Sequence, residues 1–373
     1  MKHKKILFAL IVAMLIVASA CFGSYLALSL PASTPDQPLP TLTTTADPTT
    51  GPTIVPTTTL PGVTTTGPTL PPVTTLPPVT TFPPVTTQPP LPTTQPTTVP
   101  PETTQPPQPP LNVELNAKNA FAYDLNAENF LQITGALDAR VEPASITKLF
   151  TAYVALQYLP EDTVLTAGEE VSWIDPGSSR AFISRGHKLT AKMLVQGMII
   201  PSGNDAAYII AVGAGRAIAG DSNLPARDAF NTFMEEMNRQ AQLLGLSGTH
   251  FVNPDGMNAQ DHYTTLRDLL TIAKLALNTP VILDAAQTQT MRAVFVSSEW
   301  VQWTNSNSLL NPNNAEFYCE DAFGLKTGST SSAGKCLLSA FRREDRIIII
   351  CVMGCSTDAD RYRDTLALYQ AIP

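Results

Sequence analysis

The sequence predicts an α+β fold in which one antiparallel sheet is flanked by helices and joined by an all-helical lobe. Three observations predict it. Strand-like runs lie near both ends of the globular part, helix-patterned segments occupy the stretch between them, and most of the proline is segregated ahead of both. Of the 34 prolines, 25 fall in residues 31–110 and nine in the 263 residues that follow. Those 263 residues are long enough to bury a sizeable core, as one domain or as two closely packed lobes.

The chain opens on Lys2, His3, Lys4 and Lys5, followed by 25 uncharged residues from Ile6 to Leu30. That length can cross a bilayer as a helix. The leading lysines favour a cytoplasmic N-terminus with the remainder outside. Because the apolar run continues well past residue 20, residues 1–30 are expected to be an uncleaved anchor. The alternatives are a secretory signal cleaved after Ala18-Ser19-Ala20 and lipid attachment at Cys21. All three leave the rest of the chain outside the cytoplasm. Residues 31–110 are mostly proline and threonine, with PPVTT at Pro71, Pro77 and Pro83. Proline removes amide donors and fixes φ, and apolar bulk is too scarce for a core. The stretch reads as a disordered linker whose 80 residues reach at most roughly 250 Å at ~3.1 Å per residue. The plain reading is an arbitrary spacer; the functional one is a tether that holds a domain away from a membrane.

Residues 111–373 are the expected globular domain. NAFAYDLNAENFLQI reads as two short strands around the turn LNAEN. Pro143 and Ser145 mark a helix start, and ITKLFTAYVALQYL continues it with helical apolar spacing. LTAKMLVQGMII is a helix stopped by Pro201, and GNDAAYIIAVGAGRAI is another that begins after the PSG turn. DAFNTFMEEMNRQAQLLGL is amphipathic and ends near Gly245. TTLRDLLTIAKLALN follows, capped by Thr264 or Thr265. Lys326-Thr327-Gly328 is expected at the beginning of a strand. GKCLLSAFRRE and RIIIICVMG are strands joined by the charged turn REDR, and RYRDTLALYQAI is the closing helix.

The net charge of −8 belongs to the residues after 110, because Lys2, Lys4 and Lys5 balance Asp36, Asp47 and Glu102. An acidic domain without a basic cluster gives no nucleic-acid footprint. The five cysteines, Cys21, Cys319, Cys336, Cys351 and Cys355, form no CxxC and have no histidine pair nearby, which argues against zinc. Cys336 and Cys351 lie in apolar strand-like runs and are expected to be buried thiols; a disulfide among the last four stays open.

Three stretches carry candidate chemistry. In PASITKLF, Ser145 and Lys148 are one turn apart and share a helix face. Burial lowers the pKa of a lysine, and a neutral amine beside a hydroxyl is a general base that turns the serine into a nucleophile. Taken alone, the pattern is weak and favours a helix-start serine and a snorkelling lysine. In PSGND, Ser202 suits proton relay and Asn204 suits donation to a substrate carbonyl; a polar cap turn has the same composition. In GLKTGSTSSAGKCLL, Lys326 and Thr327 suit a carboxylate, and Gly328 lets another backbone approach closely. The four histidines, His3, His187, His250 and His262, form no Ser-His-Asp signature, and His262 is expected to shape a loop.

The order S-x-x-K, S-x-N, K-T-G is far more specific than its parts. With EPASITKLFTA, PSGNDAA, FVNPDGMN and GLKTGSTSSAGKCL, the chain resembles the D-alanyl-D-alanine carboxypeptidases among the low-molecular-mass penicillin-binding proteins, from about Asn116 to the final helix. The resemblance implies a β-lactamase/transpeptidase-like fold and a serine peptidase acting on peptidoglycan stem peptides that end in D-Ala-D-Ala, acylated covalently by β-lactams. It implies that Ser145 attacks the terminal peptide bond, Lys148 takes its proton and Ser202 passes a proton to the leaving amine. Asn204 then lines the opposite wall. Lys326 and Thr327, with Gly328, hold the carboxylate, and the amides of Ser145 and Ser329 face the oxyanion. The family's closing-helix arginine falls on Arg361, with Arg363 as rival. Lys148 is expected to lose proton affinity through burial and through nearby Lys326. No metal or cofactor is implied. The family often adds a β-rich domain and a C-terminal amphipathic anchor; here an N-terminal anchor and long spacer are expected in their place, which suits a thick, Gram-positive-type wall. The alternatives are a D,D-endopeptidase on cross-links and a non-catalytic wall-binding module. A β-lactamase is disfavoured because no E-x-x-L-N occurs between Asn204 and Lys326.

Overall fold

The computed structural model describes residues 111–373. The expected anchor and linker lie outside the described residues. Strands β1 (Asn119–Asp124) and β2 (Asn129–Thr134) form the predicted hairpin. The chain then crosses to the helical lobe and returns as β7 (Ala322–Thr330), β8 (Gly334–Arg343) and β9 (Arg346–Cys355). The five strands make one antiparallel sheet in the order β2-β1-β9-β8-β7, so the first strand pairs with the last.

The closing helix α7 (Asp358–Ala371) starts three residues before the sequence reading placed it. A reciprocal cap is the reason: Asp360 N–H donates to Thr357 Oγ1 at 3.1 Å, and Thr357 N–H to Asp360 Oδ2 at 3.1 Å. Helix α7 covers one face of the sheet, where Tyr362, Leu368 and Tyr369 pack with Ile348, Ile350 and Val352. The opposite face meets the helical lobe through Ile349, Cys351 and Met353. A strand buried on both sides has no polar face, which explains the unbroken apolar run in β9.

The lobe consists of α1 (Thr147–Leu156), α2 (Ala191–Ile199), α3 (Asn204–Ala219), α4 (Ala226–Leu243), α5 (Leu266–Leu277) and α6 (Pro280–Gln287). Of the two candidate caps for α5 it is Thr265 whose hydroxyl accepts, from Asp268 N–H at 3.1 Å. Five elements escaped the sequence reading. These are α6, the pair β3 (Val164–Thr166) and β4 (Lys188–Thr190), and the hairpin β5 (Thr290–Val294) with β6 (Trp300–Thr304). Three-residue strands are too short to show a period, and β5 and β6 are half-exposed.

Lys326-Thr327-Gly328 does not begin a strand as expected. It lies in the middle of β7, because Ala322 and Leu325 already pair with β8. Cys319, Cys336, Cys351 and Cys355 are free, with the last three buried. Among the described residues, no single helix is long and apolar enough to cross a membrane.

Candidate active site

Ser145 sits in a 3₁₀ turn, Ala144–Ile146, that feeds directly into α1. The turn is tight: Ala144 has a positive φ of 48°, a conformation that costs a residue with a Cβ about 1–3 kcal/mol and persists where the surroundings dictate it. Two glycines provide those surroundings. A Cβ on Gly256 would overlap the Ala144 carbonyl, and one on Gly328 would lie 3.0 Å from Ala144 Cβ and 3.4 Å from Ser145 N. Gly328 therefore does what the sequence suggested. It lets β7 run against the backbone that carries the serine.

Lys148 is fully buried at the start of α1, one turn after Ser145. Its Nζ donates to Ser145 Oγ at 2.7 Å and to the Asp255 carbonyl at 2.7 Å. Burial is the main influence on its pKa, lowering it to about 8, while the carboxylates of Asp255 and Asp205 pull the other way. Lys326, 1% exposed, reaches the site from β7 and donates to Thr327 O at 3.1 Å. Its pKa lies well below the ordinary lysine value through burial, with repulsion from Lys148 and Arg361 added. The expected influence of Lys326 on Lys148 is not among the leading ones: burial and the two carboxylates set the Lys148 value, while Lys326 has only positive neighbours, Lys148 and Arg361, acting on it.

Ser202 and Asn204 lie at the start of α3, and Asn204 lines the cleft opened by Ser145. Both are buried, and Ser202 holds a positive φ of 64°. Asn204 N–H donates to Ser179 O at 2.9 Å. The neighbouring Asp205 accepts from Ala181 N–H at 2.8 Å and Ile183 N–H at 2.9 Å, clamping that segment to α3. Ser145, Asn204 and Ser329 line a cleft of about 470 Å³ together with Asp175, Ser179 and Met257. A second cavity of about 520 Å³ lies at the far end of α3, next to β3, and none of these residues lines it.

Thr327 Oγ1 and Ser306 Oγ are 2.6 Å apart, and the Ser306 carbonyl accepts from Tyr362 Oη at 3.1 Å. Arg361 Nη1 donates to Gly328 O at 3.0 Å and Nη2 pairs with Asp358 at 2.7 Å; its buried Nε has no hydrogen-bond partner. Arg363 points away, with its side chain 61% exposed and paired to Glu316, so Arg361 is the arginine behind the site. Ser306 and Asp255 were not singled out from the sequence. Asp255 stood within FVNPDGMN, which carried the resemblance, and Ser306 lies in a polar run with no helical or strand period.

His262 shapes a loop, as expected. Its Nδ1 accepts from Val252 N–H at 3.2 Å, which places the ring proton on Nε2, and Nε2 donates to Thr147 Oγ1 at 3.0 Å. Burial, aided by His250, lowers its pKa to about 4.

The Ser145–Lys148 pair, with Asn204 and a strand-borne Lys-Thr-Gly nearby, has known counterparts. A family model described as D-alanyl-D-alanine carboxypeptidase matches residues 102–357, more than half of the chain. The chain belongs to the D-alanyl-D-alanine carboxypeptidase family. Within that family it is 30% identical over 230 residues to the D-alanyl-D-alanine carboxypeptidase DacF of Bacillus subtilis, spanning 60% of this chain and 53% of that one. It is 31% identical over 240 residues to the D-alanyl-D-alanine carboxypeptidase of Streptomyces sp. K15, spanning 62% and 78%. The chain thus spans about half the length of the Bacillus relative. The crystal structure of the Streptomyces K15 DD-transpeptidase superposes with a TM-score of 0.63 at 29% identity, over 69% of this chain and 97% of that one. The expected β-lactamase/transpeptidase-like α+β fold is borne out. The family match ends at residue 357, just ahead of α7, so Arg361 rests on its place in the structure.

Proposed function

We propose that the protein is an extracytoplasmic, N-terminally anchored serine D-Ala-D-Ala carboxypeptidase that trims the terminal D-alanine from peptidoglycan stem peptides. The 2.7 Å contact between Lys148 and Ser145 carries this reading, because it joins a nucleophile to a base whose pKa is lowered to about 8. With the amine neutral, the Ser145 proton passes to Lys148 Nζ while Oγ bonds to the carbonyl carbon. Backbone amides of Ser145 and Ser329 receive the oxyanion. The C–N bond then breaks, and Ser202 relays the proton to the departing amine of D-alanine. Water adds its oxygen to the ester carbon and returns a proton to Ser145 Oγ, releasing the shortened peptide. Asn204 holds the substrate amide, and Lys326, Thr327 and Arg361 hold the terminal carboxylate. Penicillin forms the same ester and leaves slowly.

The Streptomyces structure that this chain resembles is called a DD-transpeptidase, which favours a second reading in which an amine replaces water as acceptor. One experiment separates the two. The full-length chain is incubated with diacetyl-Lys-D-Ala-D-Ala, with and without glycine as acceptor, and both free D-alanine and the peptide product are measured. Hydrolysed peptide in the presence of glycine supports the carboxypeptidase; glycine adduct as the main product supports the transpeptidase; no D-alanine release from folded protein sinks both. Ser145→Ala should abolish labelling by a fluorescent penicillin, and retained labelling would show another nucleophile.

A further inference from the structure

Lys148 is held by more than its serine. The residue whose carbonyl accepts its second hydrogen bond, Asp255, is 1% exposed and buries its own carboxyl group. Asp255 Oδ1 accepts from Met257 N–H at 3.2 Å, but Oδ2 is buried without a hydrogen-bond partner. An unanswered buried carboxylate oxygen is costly, and a facing positive charge is what offsets the cost. Lys148, whose Nζ donates to the carbonyl of the same residue at 2.7 Å, supplies that charge through space, without a direct ion pair. Burial raises the Asp255 pKa, and the Lys148 ammonium is the largest influence opposing it.

The carboxyl cannot swing to water without dismantling its loop. Asn253 Nδ2 donates to Met257 O at 2.8 Å, Gly256 N–H donates to Asn253 Oδ1 at 2.8 Å, and Thr151 Oγ1 on α1 donates to Pro254 O at 2.7 Å. The other charges around the pair are accounted for. From α3, Asp205 also faces Lys148, but its oxygens already accept from Ala181, Ile183 and Ala206 N–H. Lys326 from β7 repels Lys148, and Arg361 from α7 acts on Lys326. Asp175 and the Tyr208 hydroxyl lie on the Asp255 side.

We propose that Asp255 is a positioning residue for the base: its buried carboxylate keeps Lys148 strong enough to hold the proton taken from Ser145. Burial alone makes the amine a poor proton acceptor; a fixed negative charge beside it restores affinity without leaving it permanently protonated. The sign follows directly. Removing the charge weakens the base, so the amine becomes neutral at lower pH. The inference rests on the acyl-enzyme reading above, in which Lys148 must be neutral to act.

The test uses the full-length chain and the rate of acylation by a fluorescent penicillin from pH 5 to pH 9. The wild type should show an acid limb near about 8. Asp255→Asn keeps the side-chain volume and the acceptor for Met257 N–H. Asp255→Ser, smaller but also an acceptor, is the second variant should the first not fold, as judged by circular dichroism. In either, the limb should move down by about one unit. Well below the limb, the fraction of each variant's plateau rate should then rise about tenfold over the wild type's, while the plateau itself falls. A limb that stays at the wild-type pH, whatever the loss in rate, overturns the proposal and reduces Asp255 to a loop-shaping residue. A wild type that is never acylated overturns the acyl-enzyme reading, and this inference with it.

Discussion

The site has a helix-borne half, the Ser145 turn with α1, and a strand-borne half, β7. Each buries a lysine, and each handles the burial differently. Lys148 donates to a hydroxyl and a carbonyl and is faced by Asp255 and Asp205. Lys326 donates to the carbonyl of the next residue, and the charges acting on it are Lys148 and Arg361, both positive. The first lysine is therefore poised near about 8, while the second lacks an anion. On the proposed reading, the helix-borne half takes up and releases a proton, and the strand-borne half gains a negative charge from the carboxylate of the substrate.

The largest expected effect tests that division. Lys148→Arg should fold but acylate about 10²–10⁴-fold more slowly, because a guanidinium stays protonated and cannot act as base. Lys326→Arg should cost only about tenfold if Lys326 holds the substrate carboxylate as proposed, because such a cation tolerates permanent charge. Acylation rates with a fluorescent penicillin compare the two, and equal losses would erase the distinction.

A smaller effect sharpens the helix-borne half. His262, whose Nε2 donates to Thr147 Oγ1 beside Lys148, has its pKa lowered from 6.5 to about 4. A depressed folded-state value means stability is fully present above the unfolded pKa of 6.5 and is lost as pH falls toward 4. The loss over that window should approach about 3 kcal/mol, and His262→Gln should flatten it in denaturant titrations at each pH. A variant with the wild-type slope would show that another group drives the loss.

Gly328→Ala probes the seam between the halves. Its Cβ would lie 3.0 Å from Ala144 Cβ and 3.2 Å from Pro143 O, so the strand must back away from the serine turn. A stability loss of about 1–3 kcal/mol is expected, with slower acylation. Unchanged melting and unchanged acylation would show that the seam has room to spare.

Much of this was legible because the chemistry is local. Ser145 and Lys148 meet through helix spacing alone, and β9 announces its two buried faces by an apolar run without polar alternation. The capping box of α7 was also written in the chain, as Thr357 and Asp360, but was passed over in favour of the more apolar residues after it. Ser306 was not legible, since its value comes from Thr327 and Tyr362, 21 and 56 residues away. Asp255 was visible only as part of a family pattern, because a loop carboxyl shows neither its burial nor its residue's contact with Lys148 across 107 residues of chain.

The sequence by itself determined the order of the longer helices and of the outer strands, the three motifs and the one-turn spacing of Ser145 and Lys148. Each depends on covalent spacing, on periodicity or on motif order. Only the tertiary structure decided which of the two lysines has carboxylates facing it, that Lys-Thr-Gly runs mid-strand against the Ser145 turn, and that Asp255 Oδ2 is buried without a donor. Burial and through-space charge arise from packing segments far apart in the chain, and those two quantities set the pKa of a buried lysine.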